Sequence, residues 1–554
     1  MSRGVASLAK RARIAVTLAV GFYVLALGTS AVLIYVTYWM LAHPTIVFIK
    51  LVGIPAMGAL LILGSLMPRR DRFEPPGPAI TAEVTPALFE LIRDVARDTG
   101  QAMPSEIYVA PDLNASVTVR GGFMGVGGRF VMTLGLPLLH VFTVGELRSV
   151  LAHEFGHSYG GDLRLGPWIY TTRAAIARTI DSLSVVSATV QAPFVWYANA
   201  FLRITQSIVR GQELSADGLA ARLYGPSQLS AALQKSERLH LAFAAYWSTE
   251  VVPVLSAARV PLIGAGFDQF LVSDAVREAI EASAGRPERR HPHDSHPVLS
   301  ERIAAVASYP ELPGPRDQRP ALVLAGDAVV LDRALQSSLG RRVGEPVEWD
   351  EVGEAVLVPA WTSIVGDHRQ ALAGVRVISL VDVAPALVSR IADTMTAHVP
   401  SGFPRQHLLR SSAGVLEAAL GLVLHGRGGR VHNRLGRAVS VESPVGVLEP
   451  SSIVRDLLMA KIDPPSWTQL TTAFSLEDAV LAPGTFEDFT PRERRDAREV
   501  ATSLTADQRA APRPLEVAIT IRCWSCREAL PVTEATRGRM IKCPACGTSQ
   551  KLPG

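Results

Sequence analysis

Leu147-Arg-Ser-Val-Leu-Ala-His153-Glu154-Phe-Gly-His157 is the stretch on which the reading of this chain turns. Two histidines stand four residues apart with a glutamate between them, H-E-x-x-H, inside an apolar frame compatible with a helix. Positions four apart share a helix face, so His153 and His157 can bind one zinc ion, and Glu154 is placed as the base for an attacking water. The same three residue types also meet by chance in ordinary helices, so the surroundings decide. Zinc in a catalytic site needs a third protein ligand and a position left open. Glu213, in Gly211-Gln-Glu-Leu-Ser-Ala-Asp217, is the best candidate, because Glu213-x-x-x-Asp217 again aligns two carboxylates on one helical face. Asp217 is expected behind the ligands, holding an imidazole in the tautomer and orientation that the metal requires.

From about residue 80 to 310 the sequence resembles the HtpX-like and CAAX-prenyl-protease-like membrane metallopeptidases. The resemblance rests on Asn114-Ala115 in a strand region, Val131-Met-Thr133 followed by Gly135-Leu136, Glu146-Leu147, and the H-E-x-x-H stretch. It continues through Gly161-Asp162, Glu213-x-x-Ala216-Asp217, His296-Pro297 and Arg302-Ile303, in the family's order. It implies a zinc endopeptidase acting on unfolded or membrane-associated proteins, with Glu213 as the zinc glutamate on a later helix. His296 and Arg302 are then expected near the metal, stabilising an oxyanion or gating the site. As ordinary residues, His296-Pro297 is a helix start and Arg302 a surface charge. Residues 116–135 read as a β-hairpin whose exposed edge can pair with an extended substrate, and Asn114 and Ala115 open that substrate strand. The Gly-rich turn 121–128 is no phosphate loop, since no Lys-Ser or Lys-Thr follows it.

Two apolar runs precede this region. Ile14–Leu41 is uncharged and Val47–Met67 is broken only by Lys50, so each can cross a hydrocarbon core that needs about 20 helical residues. Ala42-His-Pro-Thr45 links them, which makes a helical hairpin. Arg3, Lys10, Arg11 and Arg13 lie before the pair and Arg69, Arg70 and Arg72 after it, with no Lys or Arg in the link. Positive flanks stay inside, so the remainder of the chain is expected in the cytoplasm. The resemblance implies the inner membrane of a bacterial cell. His157 and Glu213 must share one side of the membrane, so an even number of crossings separates them. Ser182–Leu202 is uncharged but holds Gln191, Pro193 and Asn199, and its neighbour carries Arg173 and Arg178, which favours zero crossings.

The whole chain of 554 residues is too long for one core, and 48% hydrophobic with 19% charged residues fits a soluble body on a small membrane part. A net charge of +4 gives no warrant for nucleic-acid binding. All four cysteines lie near the end, as Cys523-x-x-Cys526 and Cys543-x-x-Cys546 with sixteen residues between the pairs. That spacing predicts a zinc ribbon: a closed tetrahedral site of four thiolates, in a reducing compartment, able to bind protein or nucleic acid or only to cap a domain. The expected class is α+β, in four parts. These are a transmembrane helical hairpin (1–72), a mainly helical zinc metalloprotease domain with a small sheet (73–310), a mixed α/β accessory domain of open role (321–490), and the ribbon (515–554). Tyr309–Pro320 reads as a linker, Val251–Leu271 as core or a lid, and Ala355–Pro359 as one of several short Val-rich strands. His291, His293 or His296 is placed to occupy the open zinc position at rest, or to sit in a solvated loop. Two zinc ions, one catalytic and one structural, protein or peptide substrates and the lipid bilayer are the implied partners. The rival from another class is an inactive membrane-tethered scaffold, which has no use for Glu154. A prenyl-protein processing enzyme is disfavoured by having only two convincing spans.

Overall fold

The computed structural model describes residues 2–43, 45, 51–67, 74–120, 129–159, 166–184, 186–283, 297–313, 316–396, 404–494, 519–522, 529–532, 540–542 and 549–551. The Gly-rich turn 121–128, Gly161-Asp162, His291, His293, His296 and the four cysteines fall outside them. The chain divides into two compact units, Met1–Glu237 with Pro287–Ala328, and Arg238–Arg286 with Val329–Gly554. Residues 238–286, which the linker-based reading puts in the first body, thus group with the second.

The first unit starts with two apolar helices, α1 (Ser2–Ala42) and α2 (Gly53–Leu66), packed on one another. Gly58 permits the close approach, since a Cβ there would stand 3.2 Å from Leu33 Cδ1. Val16–Ala42 is long and apolar enough to cross a membrane and is only 22% buried. Val20, Val24, Leu27 and Tyr35 present its exposed apolar surface, a surface too large for water to tolerate on a lone helix. Arg405–Gly426 passes the same length test but is mostly buried inside the second unit.

Next come β1 (Ala79–Ile80), α3 (Pro86–Thr99), β2 (Glu106–Ala110), β3 (Ala115–Arg120) and β4 (Arg129–Gly135), forming a sheet in the order β1-β2-β4-β3. β2 and β4 run parallel, while β3 pairs antiparallel with β4 and lies at the edge, with Ala115 opposite Leu134. The hairpin expected over 116–135 is present, and the helix Val144–Tyr159, which carries H-E-x-x-H, packs beside β3.

After α4 (Leu136–Val141), α5 spans Val144–Tyr159. Its start is fixed by a capping box: Thr143 N donates to Glu146 Oε2 at 2.8 Å, and Glu146 N donates to Thr143 Oγ1 at 3.2 Å. Two more N-terminal amides, of Val144 and Gly145, donate to the carbonyls of Arg319 and Asp317. The Pro-rich stretch read as a linker is therefore partly tied to the first unit, because the unpaired amides of a helix start need acceptors. Leu147, Leu151, Ala152 and Phe155 are fully buried, so one face of α5 is core.

α6 (Gly166–Leu183) and α7 (Ala188–Tyr224) follow; Gly225, at φ +90°, ends α7, and Pro226 opens α8 (Pro226–Tyr246). α5 and α7 share the most extensive helix contact of the fold. At its centre a Cβ on Gly156 would stand 2.9 Å from Ala216 Cα, so backbone meets backbone.

The second unit is largely helical rather than evenly mixed. Leu380–Thr396 and Arg405–Gly426 form its centre with the buried Trp467, whose Nε1 donates to Val377 O at 3.1 Å. Its sheet of Arg430–His432, Ser440–Ser443 and Gly446–Leu448 is a three-stranded meander. The Val-rich run 355–359 is no strand: Gly353–Leu357 is a π-turn that leads into the helix Val358–Asp367. Pro359 sits in that helix's first turn, where its missing N–H costs nothing. A short apolar run cannot be told from buried helix by its pattern. Within 251–271, Val251, Val254, Val260, Ile263, Phe267 and Phe270 are buried, so that segment is core and not a lid.

Gly156→Ala is expected to lower the unfolding midpoint of the purified protein, by about 1–3 kcal/mol of overpacking. Gly414→Ala, in a helix with open space around that position, is expected to leave it unchanged or raise it by up to about 1 kcal/mol.

Candidate metal centre

Helix α5 projects His153 and His157 from one face, and their Nε2 atoms stand 3.2 Å apart. From α7, Glu213 brings Oε2 to 3.6 Å from His153 Nε2 and Oε1 to 3.6 Å from His157 Nε2. These last distances exceed a hydrogen bond. They match donors around a common centre, since ligands at about 2.0–2.1 Å on a tetrahedron lie roughly 3.3 Å apart. Glu213 is only 3% exposed, and a buried carboxylate calls for a cation among its neighbours. The donor set of two imidazoles and one carboxylate, with His153, Glu154 and His157 atoms all within 4.8 Å of one another, therefore fits a metal ion.

Behind these groups lies a buried ionic frame. His153 Nδ1 donates to Asp217 Oδ1 at 2.9 Å, which fixes the ring with Nε2 turned toward His157 and Glu213. Arg302, on the helix Leu299–Val306, clamps the same carboxylate with Nε to Oδ2 at 2.8 Å and Nη2 to Oδ1 at 2.7 Å. Its Nη2 also lies 3.4 Å from both ring nitrogens of His153. With Nδ1 donating to Asp217, it cannot accept from the guanidinium, which leaves Nε2 as the ring's only acceptor for Arg302, at a long 3.4 Å. Burial pushes the Asp217 carboxyl up, but the bonds from Arg302 and His153 outweigh it and hold the pKa down at about 2. Arg302 also comes within 3.9 Å of Glu213 Oε2.

The α5 and α7 residues expected to share a metal thus stand together, with Asp217 behind His153. Arg302 is close as well: its Nε and Nη2 face Asp217 and the His153 ring, so it braces His153 through Asp217. His296 and the neighbouring His291 and His293 lie outside the described residues. Asn114 and Ala115 stand where β3 begins: Ala115 N donates to Asn114 Oδ1 at 2.9 Å, and Gly135 N donates to Asn114 O at 2.7 Å. Sequence reading missed two supports. The Thr143-x-x-Glu146 capping box was visible as a pattern, whereas the Gly156–Ala216 contact joins distant stretches that no local signal connects.

The sequence profile of Peptidase family M48 matches residues 83–309. Among curated proteins, a protease HtpX homolog of Pseudarthrobacter chlorophenolicus is 28% identical over 168 residues, 28% of this chain and 55% of the relative. Protease HtpX of Hahella chejuensis is 26% identical over 246 residues, 40% of this chain and 71% of the relative. A protease HtpX homolog of Pyrococcus abyssi is 27% identical over 180 residues, 28% of this chain and 58% of the relative. The chain thus spans little more than half the length of several of these relatives. No solved structure matches. Over residues 83–309, the chain is similar to the HtpX-like metallopeptidases of family M48.

Proposed function

We propose that this chain is a membrane-anchored, zinc-dependent endopeptidase that hydrolyses peptide bonds of unfolded or membrane-associated proteins. The observation that carries the proposal is the convergence of His153, His157 and Glu213 from two helices onto one point. Zinc, when bound there, supplies Lewis acidity, polarising a scissile carbonyl and bringing water ionisation toward neutral pH. Glu154, next to His153 on α5 and half-buried, takes the proton of the attacking water and delivers it to the leaving amine. An extended substrate pairs with the free edge of β3, where Asn114 and Ala115 start the strand, so that main-chain hydrogen bonds hold the peptide across the α5 site. Asp217 and Arg302 are positioning residues: one fixes the His153 tautomer, the other fixes Asp217. The role of His296 rests on the resemblance alone.

The α1–α2 pair is the anchor, with the catalytic region on the cytoplasmic side of a bacterial inner membrane, by the positive flanks. Two short hairpins, Ile519–Arg522 with Ala529–Val532 and Met540–Lys542 with Ser549–Lys551, flank the segments that hold the cysteine pairs. That arrangement supports a ribbon in which Cys523, Cys526, Cys543 and Cys546 hold a second, structural zinc. An inactive scaffold would have no need of Glu154.

The full-length protein is expected to carry two zinc ions and to cleave casein. Glu154→Gln is expected to keep both ions while slowing cleavage by about 10²–10⁴-fold; undiminished cleavage contradicts the role given to Glu154. Arg302→Gln and Asp217→Asn are each expected to weaken zinc retention against a chelator roughly 10–100-fold, the double variant adding little. An Arg302→Gln protein that loses turnover at unchanged zinc affinity would return Arg302 to the substrate side of the site.

A further inference from the structure

Residues 179–202 are the least expected part of the first unit. Their helices pack on the two apolar helices of the anchor. Phe22, Ala26 and Ile62 from α1 and α2 form one buried cluster with Ala175, Ile176 and Leu183 of α6 and with Phe194 and Phe201 of α7. Buried polar contacts fix the pairing: Ser65 Oγ meets Thr179 Oγ1 at 2.6 Å, Arg178 Nε donates to Ser65 O at 3.1 Å, and Tyr197 donates to Leu18 O.

These contacts set a depth. Thr179 lies level with Ser65, near the Arg69–Arg72 end of α2. Val186 lies level with Gly58, where a Cβ would stand 4.0 Å from Val186 Cγ1. The tip of the α6–α7 hairpin thus runs roughly 10 Å along α2 past that end, at about 1.5 Å per residue. It then turns back, and Phe194 meets Phe22 with ring centroids 6.5 Å apart. A full crossing would need about 20 residues in each arm, and this hairpin reaches only part of that distance.

We infer that residues 179–202 dip into one leaflet beside the anchor without crossing, with bilayer hydrocarbon covering their outer face. The inference rests on the reading of α1 and α2 as membrane-embedded. The outer face is Ala188, Thr189, Ala192, Pro193, Val195 and Trp196, with Asn199 one turn nearer the Arg203 end, all exposed. Trp196 is 73% exposed, at the level of Leu18 and Gly21 that its neighbour Tyr197 marks, a depth suited to an interfacial indole. Between Arg178 and Arg203 the one charged side chain is Asp181, within a turn of Arg178 and near the headgroup level.

Two of the polar side chains of this stretch, Gln191 and Ser184, are satisfied inside the hairpin. Gln191 Nε2 donates to Ile180 O at 2.9 Å, and Ser184 Oγ to Asp181 O at 2.6 Å. The tip amides of Ser184, Val186 and Ser187 donate to carbonyls of residues 180–183. Non-helical backbone is tolerated at membrane depth on that condition.

The test is labelling of full-length Ser184→Cys in sealed membrane vesicles with an impermeant maleimide applied to each face, read by mass spectrometry of the peptide. Val24→Cys in α1 is the buried reference and Glu83→Cys, outside the anchor, the exposed one; unfolding in SDS verifies that each thiol reacts. The Ser184→Cys thiol is expected to react roughly tenfold more slowly than the exposed reference from either face, as the buried reference does. In vesicles with shallow-brominated lipid, wild-type fluorescence is expected to be quenched more than that of Trp196→Phe. Fast labelling of Ser184→Cys from the face that labels the exposed reference, with the buried reference protected, places the hairpin outside the bilayer. Fast labelling from the opposite face makes it a full crossing; either result overturns the inference. Fast labelling of Val24→Cys overturns the anchor reading and this inference with it.

Discussion

The backbone contact between Gly156 and Ala216 is the constraint on which the metal centre depends. Two helices that meet through their side chains lie 8–10 Å apart, too far for a carboxylate on one to share an ion with imidazoles on the other unless the side chains are fully extended. Here the α5 and α7 backbones touch. Glu213, one turn before Ala216 on α7, then faces both histidines, and Asp217 reaches behind the His153 ring. The glycine between Phe155 and His157 is as much a part of the site as the ligands.

Charge balance explains the rest of the arrangement. Glu213 and Asp217 bring two buried negative charges and Arg302 one positive charge, so the pocket holds a surplus negative charge. A buried surplus is costly unless something of opposite sign compensates it, and a divalent cation between the imidazoles and Glu213 would do so. Arg302 directs Nε and Nη2 to Asp217, consistent with a bracing residue. In the proposed function the acidic groups divide the work: Glu213 toward the ion, Asp217 toward the imidazole, and Glu154 toward water.

Much of this was legible in the residues. The i, i+4 spacing of His153 and His157 and of Glu213 and Asp217 dictates shared helix faces whatever the tertiary fold, and the order of motifs pointed to the family. What could not be read were features made by distant contacts. The Pro-rich stretch 309–320 looks like a linker by composition, yet its carbonyls cap α5. The Val-rich run 355–359 looks like a strand by composition, yet it passes from a π-turn into a helix with Pro359 in its first turn. Gln191 looks unfit for a membrane by composition, yet its side chain is spent inside the hairpin on Ile180 O. Helix α7 then joins the two themes: Phe201, against the anchor, and Glu213, at the metal centre, are about 18 Å apart on one continuous helix.

An anomalous difference map from crystals of the zinc-loaded protein, measured across the zinc absorption edge, addresses the metal centre itself. The account predicts a peak about 2.0–2.2 Å from His153 Nε2, His157 Nε2 and a Glu213 carboxylate oxygen. Zinc found only at the cysteine pairs, with the Glu213 side chain turned away from both imidazoles, would contradict it.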